Sequence, residues 1–291
     1  MQNKSTKIWL TDKLFPPLLK QTPDPPKCLF CLGQPLNPSD KYFAIVGTRR
    51  PSPYGKQMAE DFAFTLAKSG FTIVSGLAYG IDAIAHEAAL EAGQKTIAVL
   101  GAGLNHITPH CNLDLAKRIS NNGSIITEYE HDISPQAFTF PQRNRIIAGM
   151  SIATLVIEAP ERSGALITAR HALTYNRDIF ALPGNINQDT SKGGNCLIRD
   201  SKAFLVTCVQ DIFDFMEFGF GEDKNQQQKI PLPLLEENEE KIYNLLKTSP
   251  LSIDQLATET NLPAFRISTF VSMLEIKGLI KIEGSTISLT N

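Results

Sequence analysis

The chain has 291 residues, 42% of them hydrophobic, and a formal net charge of −2. That length supports two domains with substantial cores, and the near-neutral charge excludes a globally basic protein, so any anion site has to be a local concentration of cations. No apolar run approaches the ~20 residues of a membrane span and no charged–apolar–small leader is seen, so neither a spanning segment nor a secretory signal is expected.

Residues 1–40 are rich in proline and lysine. Proline removes backbone donors and favours extended or turn conformations, which predicts an arm laid on a domain surface with Trp9 as its anchor. Cys28 and Cys31 form a Cys-x-x-Cys, but no second pair follows at zinc spacing, and Cys111, Cys196 and Cys208 are scattered. The five read as reduced thiols of a cytosolic protein, with no metal site.

Residues 41–218 alternate apolar strands with helical patterns. Strands are predicted at 43–46, 71–74, 96–100, 124–127, 153–157 and 178–182, the last of them ending at Pro183-Gly184. Helices are predicted after the first strand up to Gly70, at about 81–92, 113–119 and 164–175, and from the apolar run after Arg145. Such alternation implies βαβ units and a doubly wound, mainly parallel sheet with helices on both faces.

Glycine- and hydroxyl-rich turns fall just after the strands, at the carboxyl edge where such sheets bind ligands. Gly47, Gly76, Gly80, Gly101, Gly103, Gly164 and Gly184 are expected to border one crevice, joined by Thr48, Arg49, Ser75 and Ser163. The block Phe140-Pro141-Gln142-Arg143-Asn144-Arg145 adds two guanidiniums and an amide near a helix start. Free N–H groups, a positive dipole end and arginine forks together make an anion site, for a nucleotide or for a nucleic-acid backbone. The five histidines show no metal spacing.

Residues 219–232 are a polar, low-complexity linker. Residues 233–291 then show three helical patterns, at 236–246, after a Ser252 cap, and at 263–276, followed by a hairpin of 279–282 and 286–289. Helix–helix–helix–hairpin is the winged-helix order. Over residues 231–291, five cations face eight anions. Phosphate contacts dominate duplex affinity, so major-groove binding by this domain is not the expectation; a protein contact or an accessory role is.

These blocks resemble one family, DprA (also called Smf), the bacterial DNA-processing protein, from about Leu14 onward. The specific parts are Ile45-Val46-Gly47-Thr48-Arg49, the run from Val74 through Ser75-Gly76 to Asp82, the Phe140 block, and Glu158-Ala159-Pro160-Glu161-Arg162-Ser163-Gly164 continuing to Ala169. The resemblance implies an extended Rossmann domain that binds single-stranded DNA, as a homodimer, and passes incoming strands to the RecA recombinase in natural transformation. It places a phosphate at Gly47, Thr48 and Arg49. Arg143, Asn144 and Arg145 line the same pocket, Ser75, Gly76, Ser163 and Gly164 add donors, Phe140 stacks on a base, and Lys202 extends the groove. It implies neither a cofactor nor catalysis.

Two departures stand out. Many relatives carry a small helical domain ahead of the proline-rich arm, and this sequence starts too late to include one. Residues 134–138, just before the arginine block, hold no cation. Two other functions remain open: a nucleotide-binding phosphoribohydrolase, with Glu158, Asp82 or Glu87 as acid, and a winged-helix regulator that senses a nucleotide. The first needs a carboxylate beside the ribose, and the stretch Gly164-Ala165-Leu166-Ile167-Thr168-Ala169-Arg170 after the glycine turn has none.

Overall fold

The computed structural model describes residues 5–216, 237–246, 250–260, 262–276, 279–283 and 286–289. The chain divides into two compact units, Met1–Gly219 and Phe220–Asn291.

In chain order the first unit contains β1 (Thr6–Trp9), α1 (Pro17–Lys20), β2 (Cys28–Gly33), β3 (Lys41–Val46), α2 (Pro53–Lys68) and β4 (Phe71–Ser75). Next come α3 (Ile81–Glu91), β5 (Thr96–Val99), α4 (Leu113–Asn122), β6 (Ser124–Thr127), α5 (Thr139–Met150) and β7 (Ala153–Val156). It ends with α6 (Gly164–Thr174), β8 (Asp178–Ala181), α7 (Asp189–Arg199), β9 (Phe204–Leu205) and α8 (Val209–Phe215). All nine strands form one sheet in the order β1-β2-β6-β5-β4-β3-β7-β8-β9. The strands from β3 to β9 pair in parallel, whereas β1 and β2 pair antiparallel with their neighbours.

This order has a physical consequence. From β3 the chain winds outward through β4, β5 and β6, then crosses back through α5 to β7 on the other side of β3. The carboxyl ends of β3 and β7 are therefore the point where the winding reverses and a crevice opens. Apolar clusters pack on both faces: Leu19, Ile146, Ile147, Ala169 and Leu197 belong to one, Phe62, Leu66, Ile81, Ala88 and Phe213 to another. Local rules fix the ends. Ser52 caps α2 by accepting from the Gly55 N–H, with Pro53 in its first turn, and Gly70 leaves that helix at φ +90°.

Three expectations change. The proline-rich arm is not a surface lead-in, because β1 and β2 extend the sheet beyond β6. Its anchors are Phe15 and Leu19, both buried; Trp9 is half-exposed, with Lys7 Nζ 4.4 Å above its ring. The strand at 178–181 is not the last, since β9 pairs with it after α7. The sequence hides α7 behind Gly193-Gly194. A Cβ on Gly193 would lie 2.5 Å from the Ala159 carbonyl oxygen, so the helix passes the chain too closely for any side chain.

The second unit contains α9 (Glu237–Leu246), α10 (Ile253–Thr260), α11 (Ala264–Ile276), β10 (Ile280–Glu283) and β11 (Thr286–Leu289). Ile242, Leu246, Leu256, Ile267, Val271, Leu274, Ile280 and Ile287 form its core. Ser252 caps α10, accepting from the Gln255 N–H while Gln255 Oε1 accepts from the Ser252 N–H. The unit is a winged helix. The linker at 219–232 and the hairpin tip at 284–285 lie outside the described residues.

Candidate functional site

A cavity of about 840 Å³ opens at the winding reversal, bounded by the turn after β3, the first turns of α5 and the start of α6. Gly47, Thr48, Arg49, Phe140, Arg143, Asn144, Ser163 and Gly164 all line it. These lie up to 117 positions apart in sequence; the sheet brings them together.

The turn after β3 is held from behind. Thr48 N–H donates to the Glu158 carbonyl at 2.7 Å, and Thr48 Oγ1 accepts from the Arg50 N–H at 3.2 Å. A Cβ on Gly47 would lie 2.5 Å from Ile81 Cγ1, so glycine is needed for α3 to approach. The loop after β4 is strained, with buried Leu77 at φ +57°. Asp82 Oδ2 accepts from the Gly76 and Ala78 N–H groups, and Asn112 Nδ2 donates to the Leu77 and Ala78 carbonyls. A left-handed non-glycine residue held by four hydrogen bonds is the kind of strain retained at a binding edge.

Arg143 is 4% exposed and serves as the hub of the crevice. Its Nη1 donates to the Gly76 carbonyl at 2.7 Å and also to the Val99 carbonyl. Its Nε donates to Asn144 Oδ1 at 3.1 Å, and Asn144 Nδ2 donates to the Gly164 carbonyl at 3.1 Å. This chain ties three post-strand turns to α5. Burial lowers the Arg143 guanidinium to about 10, opposed by the Asp82 charge, while burial raises the Asp82 carboxyl.

The exposed charge comes from elsewhere. Arg49, Arg50 and Arg162 line the cavity, are exposed, and form no ion pair among the described residues. Arg49 lies 5.8 Å from the Phe140 ring centre. Arg50 and Arg162 adjoin the glycine turns that the sequence reading singled out, and their charge was the available signal. Thr190 also lines the cavity, but it sits on the unforeseen α7.

Several expected members lie outside. Arg145 pairs with Glu128 and lies 3.7 Å from Asp24 Oδ2, so its charge is spent on carboxylates rather than on the crevice. The helical period explains it: two residues along α5 turn a side chain by about 200°, onto the opposite face. Ser75 is fully buried and donates to the Ile45 carbonyl; Gly76 uses both of its backbone groups internally. Lys202 is exposed and paired with Asp200 at 3.1 Å. Of the expected glycines, only Gly47 and Gly164 line the cavity. Gly101 and Gly103 are glycines because Phe140 and the Glu130 and His131 carbonyls press on them, and Gly184 because Ser191 does.

The carboxylates are engaged. Glu158 is 2% exposed. Its Oε1 accepts from Ser52 Oγ at 2.7 Å and Thr190 Oγ1 at 3.2 Å, and its Oε2 accepts from the Ser52 N–H at 2.9 Å. It is a clamp between α2 and α7. Among the residues lining the cavity Asp82 alone is acidic, and it holds the strained loop.

Comparison with known proteins agrees with this architecture. The family model described as DNA recombination-mediator protein A matches residues 6–217, and that of the DprA winged helix domain matches residues 226–284. Protein Smf of Escherichia coli is 38% identical over 280 residues, covering 92% of this chain and 73% of that protein. DNA processing protein DprA of Streptococcus pneumoniae is 41% identical over 209 residues, covering 72% and 73%. The X-ray structure of DprA from Streptococcus pneumoniae superposes with a TM-score of 0.68 at 40% identity, covering 72% of this chain and 74% of that one. The structure of DNA processing protein A from Helicobacter pylori, described for its single-stranded DNA binding mode, gives 0.66 at 32% identity, covering 74% and 97%. With family models matched over residues 6–217 and 226–284 and relatives at 38–41% identity, the chain belongs to the DNA recombination-mediator protein A (DprA/Smf) family.

Proposed function

We propose that this protein binds single-stranded DNA without sequence preference, with backbone phosphates in the crevice at the winding reversal, and hands the strand to the RecA recombinase during natural transformation. The observation that carries the reading is the set of exposed arginines, Arg49, Arg50 and Arg162, unpaired among the described residues and facing an open crevice. An open cleft of three cations suits a continuous anion better than a closed nucleotide pocket, and Phe140 beside Arg49 offers a stacking face. The likeness to the Helicobacter pylori protein supports the choice of ligand, and the recombination-mediator family supports the hand-over. Within the same reading the protein acts as a homodimer in the cytoplasm and needs no cofactor.

In this reading the protein performs no chemistry. A phosphoribohydrolase would need an acid free to reach a ribose, and Glu158 has its oxygens occupied by Ser52 and Thr190. A gel shift with labelled oligo-dT and with a duplex of equal length tests the proposal. Retention of the single strand in preference to the duplex is expected; equal or stronger duplex binding overturns it. Incubation with nucleoside monophosphates is expected to release no base. Release that disappears in Asp82→Asn would establish the hydrolase instead.

A further inference from the structure

A second cavity, of about 390 Å³, adjoins two chain segments that also border the crevice, and none of the eight residues that line it is a carboxylate. Its apolar walls are Leu104, Ile107, Leu113 and Pro135, with Asn105, His106, Thr108 and His110 as polar groups. His106 is oriented by Nε2, which donates to the Asp132 carbonyl at 3.1 Å and leaves Nδ1 as the acceptor of the neutral ring. Two segments of chain border both cavities. On one side Pro135 borders the second cavity and Ala137 the first, within a loop pinned by Thr139 Oγ1, which accepts from the Gln136 N–H at 3.2 Å. On the other, Ala78 borders the first cavity and Leu113 the second, and Asn112 joins them by donating to the Ala78 carbonyl. Each side carries an exposed aromatic ring next to these residues: Tyr79, 52% exposed, beside Ala78, and Phe138, 57% exposed, beside Ala137.

Resting on the reading of the crevice as a phosphate site, we propose that the strand leaves it across Tyr79 and Phe138 and seats a nucleobase in the second cavity. The chemistry fits that occupant. A base has flat apolar faces and polar edges; the cavity offers apolar walls and imidazoles, while the two exposed rings next to Ala78 and Ala137 offer stacking faces that accept any base. The crevice supplies the cations that the second cavity lacks, so backbone and base are held in separate cavities.

The test is fluorescence anisotropy with oligo-dT, in which single nucleotides are replaced one at a time by abasic spacers. In the wild-type protein, spacers at one or two adjacent positions beside the crevice-bound phosphates are expected to weaken binding about tenfold, the loss of one stacked base. In Tyr79→Ala/Phe138→Ala, and separately in Ile107→Trp, which fills the cavity without adding charge, intact oligo-dT is expected to bind about tenfold more weakly and the position dependence to vanish. Unchanged thermal unfolding midpoints show that the variants fold. Three results overturn the inference: no spacer position stands out, both variants bind as the wild type does, or the protein binds no oligonucleotide. The second of these, with binding still lost in Arg49→Ala, removes the base cavity and leaves the phosphate crevice standing; the third removes both.

Discussion

The crevice of the sheet and the third helix of the winged unit are both places where nucleic-acid binding is expected from fold alone, and they differ in charge. The crevice is lined by Arg49, Arg50 and Arg162, exposed and without ion pairs among the described residues, with Arg143 behind them. Helix α11 presents one arginine, Arg266, and one glutamate, Glu275, with Phe265 and Met273 exposed. A recognition helix with a single cation, offset by a glutamate, lacks most of the contacts that supply duplex affinity. The exposed apolar residues of α11 suit a protein contact better than a major groove. The comparison teaches that placement of unpaired charge, not topology, separates a binding edge from a scaffold.

The largest expected effect breaks the crevice side of the comparison. In Arg49→Ala/Arg162→Ala, single-strand affinity should fall at least about a hundredfold in anisotropy titrations, since each charge-assisted contact contributes about 1.5–3 kcal/mol. Neither residue supports the fold through an ion pair, so the unfolding midpoint should stay where it is.

Arg145→Ala should do the reverse. Removing it leaves Glu128 half-buried and uncompensated, and unfolding in urea should show a loss of about 3 kcal/mol while DNA affinity is retained. The two arginines of one short block thus separate into a hub of the crevice and a structural ion pair. The sequence held the block and its composition but not that division, because the helical phase that turns Arg143 inward and Arg145 away depends on where α5 begins, and Thr139 sets that start. The alternating strands were legible because buried parallel strands read as continuous apolar runs. Helix α7 and strands β1 and β2 were not: prolines and paired glycines there look like loop, and only the neighbours that press on Gly193 or pair with Cys31 explain them. Thr48 and Gly47 were recognisable from their place after a strand. Arg50 and Arg162 stood in the same turns, where their charge was the available signal, and their exposure without ion pairs among the described residues identifies them.

A smaller effect concerns the scaffold. His86 is fully buried, with Nδ1 donating to Thr96 Oγ1 at 2.7 Å, and burial lowers it to about 3, with the nearby Arg143 charge adding to the shift. The unfolded chain takes up a proton below about pH 6.5, the ordinary histidine value, while the folded chain does not until about pH 3. The stabilisation by neutral His86 is thus complete above that range and falls by up to about 1.4 kcal/mol per unit as the pH drops through it. Urea unfolding between pH 7 and pH 4, roughly the window this shift spans, should show that slope in the wild type and less of it in His86→Gln.

The smallest effect tests the other half of the comparison. Ending the chain after the first unit, which has its own core, should change single-strand affinity by no more than about twofold, or about 0.4 kcal/mol. A large loss would place DNA on the winged helix and undo the contrast in charge.

The central claim is that arginines at the winding reversal hold backbone phosphates, and the salt dependence of oligo-dT binding tests it most directly. Each neutralised phosphate of a single strand contributes about −0.7 to the slope of log affinity against log salt. Three exposed arginines predict a slope of about −2 for the wild type and about −0.7 for Arg49→Ala/Arg162→Ala. Equal slopes in the two proteins would contradict the account.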